Sequence, residues 1–335
     1  MKDYFKHLCD NERGRLKECA QPEWTAPMLA RLTDERFSDP NWIYERKFDG
    51  ERVLCFRKGN RVRLMSRNRK SIGGTYPELV DALSHQPCDD FVVDGEIVAF
   101  ENGVTSFSRL QQRMQINDPQ EARSSRVAVY CYLFDLLHLE GYGLERLALR
   151  VRKAVLRHAI SFEDPLRYTP HRNRDGEAYY EEACEKGWEG VIAKRAESEY
   201  RHSRSADWLK FKCAKGQELV IGGFTEPQGS RAGFGALLVG YYENGKLRYA
   251  GKVGTGYSNE FLASFRKRLD GLARQTSPFS DQVKERGVTW VAPELVGEIG
   301  FTEWTEDGKL RHPRFMGVRR DKEPKEVVRE TADSQ

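Results

Sequence analysis

The chain has 335 residues, 39% of them hydrophobic and 32% charged, with a formal net charge of only +4. That length fits two domains with ample core. The near balance of charge excludes a whole-protein field as the means of holding a polyanion, so any such site must come from local clustering.

No apolar run is long enough to span a bilayer. Met1 to Arg15 is charged throughout and has no signal-peptide core. Residues up to about Pro22 are polar and are expected to be peripheral, and Pro27-Met28-Leu29-Ala30 starts the ordered chain. Two strand-type runs, Trp42-Ile43-Tyr44 and Val53-Leu54-Cys55-Phe56, then bracket Glu45-Arg46-Lys47-Phe48-Asp49-Gly50-Glu51-Arg52. Asp-Gly between strands predicts a hairpin, with Lys47 at its mouth. Such a lysine is either part of a charged hairpin tip or a nucleophile whose surroundings lower its pKa, because an ammonium has no lone pair.

Lys58-Gly59-Asn60 turns the chain into a strand from Arg61, which ends at Ser66-Arg67-Asn68. Tyr76 to Ser84 reads as a helix with Leu79, Val80 and Leu83 at helical spacing. Phe91 to Phe100 is a strand interrupted by Asp94-Gly95-Glu96, and two carboxylates in so apolar a run need partners. Phe107 to Met114 looks helical. Val127 to Leu137 is the most apolar strand and must be central, with Asp135 at its rim. A helix follows with Leu147, Val151, Ala154, Val155 and His158 on one face, His158 being read as a core-edge residue. Asp175 to Lys186 is a helix stopped by Gly187. Trp188 to Lys194 is a strand with Glu189 at its start. In Trp208 to Lys212 apolar and basic residues alternate, so Lys210 and Lys212 share a face.

At Lys215-Gly216 the texture changes to short strands: Glu218 to Phe224, Gly235 to Tyr242, Leu247 to Val253 and Val296 to Phe301. One helix, with Phe261, Phe265 and Leu269 at spacing four, intervenes. This pattern suggests a small barrel of the OB-fold type. From Glu323 the chain is highly charged and is expected to fray. The seven cysteines lie singly, with no Cys-x-x-Cys pair, which argues for reduced cytosolic thiols over a zinc site or disulfide framework. Gly240 to Lys246 mimics the start of a phosphate loop, but Leu247 follows where Ser or Thr is needed, and the context is a hairpin. The glycines of Gly251 to Gly256 are read as barrel bends.

The chemistry that uses Lys47, Asp94, Glu96, Glu189, Lys210, Lys212 and Phe134 together is nucleotidyl transfer through a covalent lysine adduct. Lys210 and Lys212 would neutralise a triphosphate and disfavour the Lys47 ammonium. Glu189, supported by Glu96 or Asp94, would hold Mg2+. Phe134 would stack on a base.

At this point the chain resembles the ATP-dependent DNA ligases, within the covalent nucleotidyltransferase superfamily, from about residue 24 to 325. Lys47-Phe48-Asp49-Gly50-Glu51-Arg52 resembles the nucleophile motif, and Ser66-Arg67-Asn68 the motif whose arginine contacts the nick 5′-phosphate. Asp94-Gly95-Glu96 is similar to the ribose motif, and Tyr132-Leu133-Phe134-Asp135 to the adenine-stacking motif. Glu189 to Lys194 resembles the metal-site motif, and Leu209-Lys210-Phe211-Lys212 the phosphate-binding motif. Arg311-His312-Pro313-Arg314-Phe315 through Arg319-Arg320-Asp321-Lys322 resembles the last ligase motif. The resemblance is nearest to small bacterial ligases and end-joining ligase modules, without the N-terminal DNA-binding domain of the large eukaryotic enzymes.

The resemblance implies an α+β, ATP-grasp-like nucleotidyltransferase domain of antiparallel sheets with flanking helices at 23–215. It implies an OB barrel at 216–325, between an extension at 1–22 and a tail at 326–335. It implies Lys47, Arg52, Lys210 and Lys212 as catalytic residues. Glu45, Arg67, Glu96, Phe134, Lys194 and Arg314 would join them around the nucleotide, Glu45 near the adenine amine. Glu189 and Glu96 would hold metal, Arg67 and Arg52 would place the DNA 5′-phosphate, and Arg311, Arg314, Arg319, Asp321 and Lys322 would act from the OB domain, which closes over the nucleotide. ATP is the implied nucleotide and Mg2+ the metal, with Mn2+ able to replace it. Nicked or broken duplex DNA is the implied substrate and Ku or other end-joining proteins the partners. A monomer of the bacterial cytoplasm and nucleoid, without membrane association, would serve DNA repair, recombination or replication. RNA ligation or GTP-using RNA capping shares the lysine motif, but the Arg311 to Phe315 element favours DNA ligation. A binding protein with a dead transferase domain would show erosion at Lys47, Glu189, Lys210 or Lys212, and none is eroded.

Overall fold

The two strands that flank Lys47 do not pair with each other. The structure, a computed structural model, describes residues 3–214, 216–227 and 233–330. They form two units, the first reaching to Cys213 and the second starting at Ala214. Lys215, where the sequence places a domain boundary, and the last five residues of the expected tail lie outside the described residues.

In the first unit α1 (Asp10–Arg13) and β1 (Lys17–Glu18) lead to β2 (Leu29–Leu32), β3 (Trp42–Lys47), β4 (Glu51–Lys58) and β5 (Arg61–Ser66). Next come α2 (Pro77–Ser84), β6 (Asp90–Glu101), β7 (Val104–Thr105), α3 (Phe107–Met114), α4 (Pro119–Arg123), β8 (Val129–Leu139) and β9 (Tyr142–Gly143). α5 (Leu149–Ala159), β10 (Leu166–Tyr168), β11 (His171–Asn173), α6 (Gly176–Glu185), β12 (Gly190–Arg195) and β13 (Arg204–Lys212) complete it. One sheet has the order β1-β9-β8-β6-β4-β5, with β10 added to β8 and β7 to β6; the other has the order β11-β3-β12-β13-β2. Pairing is antiparallel except for β10 on β8 and β2 on β13.

β3 thus lies in one sheet and β4 in the other, so Asp49-Gly50 is a crossover and not the expected hairpin. An Asp-Gly pair signals a tight turn, but a hairpin also needs both strands to find each other, and here each finds a longer partner. The turn is tied down elsewhere: Asp49 Oδ2 accepts the Phe107 N–H at 3.0 Å, and the Asp49 N–H donates to Thr105 Oγ1 at 3.3 Å. Gly50 is required for close approach, since a Cβ there would lie 2.2 Å from the Ile97 carbonyl. Gly50→Ala should therefore destabilise the first unit by about 3 kcal/mol, the upper end of overpacking costs, read as a fall in urea midpoint.

The two sheets pack through a small core of Leu54, Phe56, Val92, Leu137, Met28 and Trp208. A larger core lies on the outer face of the first sheet under α2, α3 and α5, and a third lies between the second sheet and α6. The N-terminal segment is not peripheral. Phe5 and Leu8 are buried in the larger core, and β1 pairs with β9. β6 runs unbroken through Asp94-Gly95-Glu96. On α5 the buried face carries Leu149, Arg152, Lys153, Val155, Leu156 and Ala159, while His158 is exposed and stacks on His7 at 5.3 Å. α3 and α6 match their predicted spans closely, and Gly187 ends α6 at φ 67°. The expectation of reduced thiols throughout is corrected: Cys184, at the end of α6, and Cys213, just after β13, are joined in a disulfide, and the other cysteines are free. Their 29-residue separation hides a pairing that only the packing of α6 on the sheet creates.

The second unit contains β14 (Gly216–Thr225), β15 (Leu237–Glu243), β16 (Lys246–Val253), α7 (Asn259–Asp270), β17 (Ala273–Arg274) and β18 (Val288–Gly300). β19 (Glu303–Trp304), β20 (Leu310–Arg311) and β21 (Arg314–Arg319) follow. The order β16-β15-β14-β18-β17, with β21 on β18, is that of an OB barrel. The Phe315 N–H donates to the Thr255 carbonyl at 2.9 Å and closes it. Asn244 and Gly245 have φ of 51° and 74°, so the phosphate-loop mimic is a two-residue hairpin turn. The expected fraying from Glu323 is also corrected. Val327 is buried in the barrel core and accepts the Tyr242 N–H at 2.7 Å.

Candidate active site

Register places the site on one face of the second sheet. Lys47 on β3 lies opposite Gly190 on β12, which lies opposite Lys212 on β13; Glu45, Ile192 and Lys210 form the next row. Side chains directly across strands share a face, so Glu45, Lys47, Lys210 and Lys212 all point the same way. The alternate residues Tyr44, Val191, Ala193 and Phe211 face α6 and are buried. That alternation is why the basic residues are presented inward toward the first sheet. Gly190 has φ 146°, and a Cβ on it would lie within 2 Å of the Phe211 carbonyl, at 1.9 Å. With no side chain there, Lys47 and Lys212 face each other across two strand spacings, about 9–10 Å.

Lys47 Nζ forms an ion pair with Glu189 Oε1, and both side chains keep partial exposure, at 18% and 27%. Glu45 is buried, and each of its carboxylate oxygens takes one lysine: Oε1 accepts from Lys153 at 2.5 Å and Oε2 from Lys194 at 2.6 Å. Burial alone would raise the Glu45 pKa, but the two ammonium groups, Lys153 foremost, hold it below its ordinary value. Burial pushes Lys194 down to about 8 against the pull of Glu45. Lys194 Nζ rests 4.2 Å from the centre of the Phe134 ring.

The first sheet supplies the facing wall. Arg52 donates from Nε and Nη2 to Asp94 at 2.6 and 2.7 Å and lies 4.7 Å over Phe134. Asp94 also accepts the Tyr200 hydroxyl at 2.6 Å. The carboxylate that sequence reasoning left without a partner is thus engaged by an arginine and a tyrosine. Glu96 lies opposite Arg52 on β6. Phe134 occupies a bulge: Asp94 pairs with Asp135 and Gly95 with Leu133, which leaves Phe134 as the extra residue of β8. A bulge re-aims one side chain, and here it turns the ring to the two cations.

Residues 27–212 match the family described as the ATP dependent DNA ligase domain, and residues 230–322 match the ATP dependent DNA ligase C terminal region. The chain belongs to the ATP-dependent DNA ligases. It is 40% identical over 318 residues to the multifunctional non-homologous end joining protein LigD of Pseudomonas aeruginosa, covering 92% of this chain and 37% of that protein. The protein of the same description from Mycolicibacterium smegmatis is 37% identical over 334 residues, covering 98% of this chain and 42% of that one. The chain therefore spans about two fifths of the length of the curated relatives it matches. A solved mycobacterial DNA ligase D, complexed with ATP and MES, superposes with a TM-score of 0.65 at 36% identity, covering 91% of this chain and 98% of that one.

The remaining ligase motifs divide between edge and barrel. Arg67 follows β5, an edge strand of the first sheet. In the ligase barrel Arg311 pairs with Glu303 at 2.6 Å, and Arg314 is exposed at the start of β21. Arg319 donates to both oxygens of buried Asp321 at 2.9 and 2.8 Å, and Lys322 pairs with Glu218 at 2.8 Å. These last pairs brace the barrel. Among the described residues no group of three or more His, Cys, Asp or Glu side chains converges on one point. One or two carboxylates with phosphate oxygens are the usual protein share of a Mg2+ site, and the partly exposed Glu189 is a donor of that type. The residues that sequence reasoning missed in this ligase are Lys153, Arg152 and Tyr200, all partners of strand carboxylates.

Proposed function

We propose that this ligase seals nicks or breaks bearing 3′-hydroxyl and 5′-phosphate ends, through a lysyl-AMP intermediate on Lys47 and then adenylated DNA. The observation that carries the reading is the inward row of Lys47, the side-chain-free Gly190 and Lys212, beside Glu45 and the bulged Phe134. In the first step Lys47 Nζ attacks the α-phosphate of ATP. A P–N bond forms, the bond to the β-phosphate oxygen breaks, and pyrophosphate leaves. Glu189, already paired with Lys47, holds the amine in place as its ammonium proton passes to solvent. Lys210 and Lys212 neutralise the phosphates as charge shifts to the leaving group. Phe134 stacks on the adenine and Glu96 orients the ribose. Glu189 and Glu96 would hold Mg2+, or Mn2+ in its place, which supplies neutralisation of phosphate charge. Arg52 is held on Asp94, so its part is to fix the wall beside Phe134. Arg67 and exposed Arg314 would contact phosphates of DNA or nucleotide.

In the second step the DNA 5′-phosphate takes AMP from Lys47, and in the third the 3′-hydroxyl displaces AMP. The names of the LigD relatives support a place in non-homologous end joining; a Ku-type end-binding partner and a place in the bacterial cytoplasm at the nucleoid belong to the proposal. No helix among the described residues is long and apolar enough to cross a membrane.

Label transfer tests this reading. The protein is incubated with α-labelled ATP, GTP or labelled NAD and run on a denaturing gel. A protein band from ATP only, discharged by nicked duplex DNA, is expected. A band from GTP would move the assignment to capping chemistry. An ATP band discharged only by RNA would make it an RNA ligase. No band from any nucleotide would remove the adduct.

A further inference from the structure

Lys153 is buried to 1% exposure on a helix whose other long cations reach solvent or a carboxylate. Its ammonium donates to Glu45 Oε1 at 2.5 Å and to the Thr169 carbonyl at 3.0 Å, and sits 4.8 Å from the Tyr168 ring centre. Glu45 Oε2 is already served by Lys194. Charge balance for one carboxylate needs one ammonium, and burying a second costs desolvation that an apolar side chain would avoid. What the second ammonium adds is definition. With one lysine on each oxygen, the carboxylate can neither rotate nor readily take up a proton.

We propose that Lys153 is a positioning residue which holds Glu45 as a fixed, acceptor-only probe of the purine 6-position and so sets the choice of ATP over GTP. This rests on the nucleotide reading above, with Phe134 as the stacking ring. Adenine carries an amino donor at the 6-position, whereas guanine carries a carbonyl acceptor. An ionised carboxylate accepts only, and each oxygen has two lone pairs. After the lysines are served, Glu45 still has acceptor capacity for an amine and offers guanine nothing but lone pairs. A protonated Glu45 would reverse this, because its hydroxyl would donate to the guanine carbonyl. The ionised state is therefore what discriminates, and Lys153 leads the forces that keep Glu45 ionised despite its burial.

Lys153 is itself placed by rigid means. Its neighbour Arg152 donates to both oxygens of buried Asp135 at 2.7 and 2.9 Å, which clamps α5 to β8. Glu45 in turn holds the Lys194 ammonium over Phe134, so the acceptor and the stacking ring are fixed to each other. The Lys153 ammonium is engaged by Glu45, the Thr169 carbonyl and the Tyr168 ring, so it acts through Glu45.

The test is single-turnover labelling of the protein with α-labelled ATP and GTP, giving kcat/KM for each. It compares wild type, Glu45→Gln, Lys153→Met and the double variant, with thermal melts to report folding. Lys153→Met is expected to lower the ATP-over-GTP ratio at least about ten-fold, chiefly through a higher KM for ATP. In the Glu45→Gln background, where the amide both donates and accepts, adding Lys153→Met should change the ratio by less than about two-fold, because residues acting through one another are non-additive. If Lys153→Met alone fails to fold, the double variant, which removes both charges of the buried pair, is compared with Glu45→Gln instead. A folded Lys153→Met that keeps the wild-type ratio overturns the proposal, as does a double variant whose losses multiply. Wild type that takes no label from ATP would overturn the nucleotide reading itself, a distinct outcome.

Discussion

Lys47→Ala will take no label from ATP yet will still join a nick whose 5′-end already carries AMP. Five lysines lie on or behind the inner face of the second sheet, and geometry separates them. Lys153 and Lys194 are buried and committed to Glu45. Lys210 and Lys212 stand two strands from β3. Lys47 ends its strand beside a carboxylate, Glu189, while keeping solvent access. The proposed first step consumes its lone pair, so removal of the amine would remove that step. The last step breaks the bond between AMP and the DNA phosphate by attack of the 3′-hydroxyl, and no lysine lone pair takes part. Glu189→Gln preserves shape but removes the charge that pairs with Lys47 and would hold the metal, and should slow labelling by about 10²-fold or more, the usual worth of one preorganised electrostatic contact. A Lys47→Ala protein that still acquired AMP would move the nucleophile elsewhere. One that failed on the pre-adenylated nick as completely as on plain substrate would show that Lys47 serves the last step too.

Most of this site was legible in the sequence because its residues sit on strands, where period-2 alternation fixes faces without further knowledge. Lys210 and Lys212 are the clearest case, and Glu45 with Lys47 follows the same rule. α3 and the Gly187 stop of α6 were legible for a similar reason, since spacing and a left-handed glycine are local signals. The errors share one cause. Which sheet a strand joins is a long-range matter, so Asp49-Gly50 looked like a hairpin when β3 and β4 part company there. The bulge at Phe134 depends on a register offset against β6, invisible in β8 alone. Asp94 was legible as needing a partner, but one of its partners sits on a loop, at Tyr200; Asp135 was read at the rim of the sheet, whereas it is fully buried against Arg152 of α5. The run Arg150 to Arg157 alternates charge with apolar residues so closely that its solvent face and its buried face cannot be told apart by composition. A buried ion pair is a statement about two elements, and either sequence alone carries half of it.

The largest effect on stability should come from that helix. Asp135 and Arg152 are both 0% exposed and make a two-pronged ion pair between β8 and α5. Arg152 also donates to the Leu147 and Ser198 carbonyls at 2.5 and 2.9 Å, so one guanidinium closes a helix start and a loop as well. Asp135→Ala strips the counter-charge from an arginine that has no route to water. Breaking a buried pair from one side costs about 3–5 kcal/mol, and the urea midpoint should fall accordingly, with the slope unchanged if the transition stays two-state. The pair is not itself a strong source of stability, because two desolvated charges repay little more than their burial costs. Asp135→Leu with Arg152→Met should therefore recover part of the loss. Full recovery is not expected, since the Leu147 carbonyl would lose the Arg152 donor at about 1–3 kcal/mol, while the Ser198 carbonyl keeps the Leu149 N–H at 3.0 Å. An unfolding free energy for Asp135→Ala within about 1 kcal/mol of wild type, well below the cost of an unpaired buried charge, would mean that water reaches Arg152. α5 would then be too loosely held to place Lys153 against Glu45, and nucleotide selectivity should weaken in the same variant.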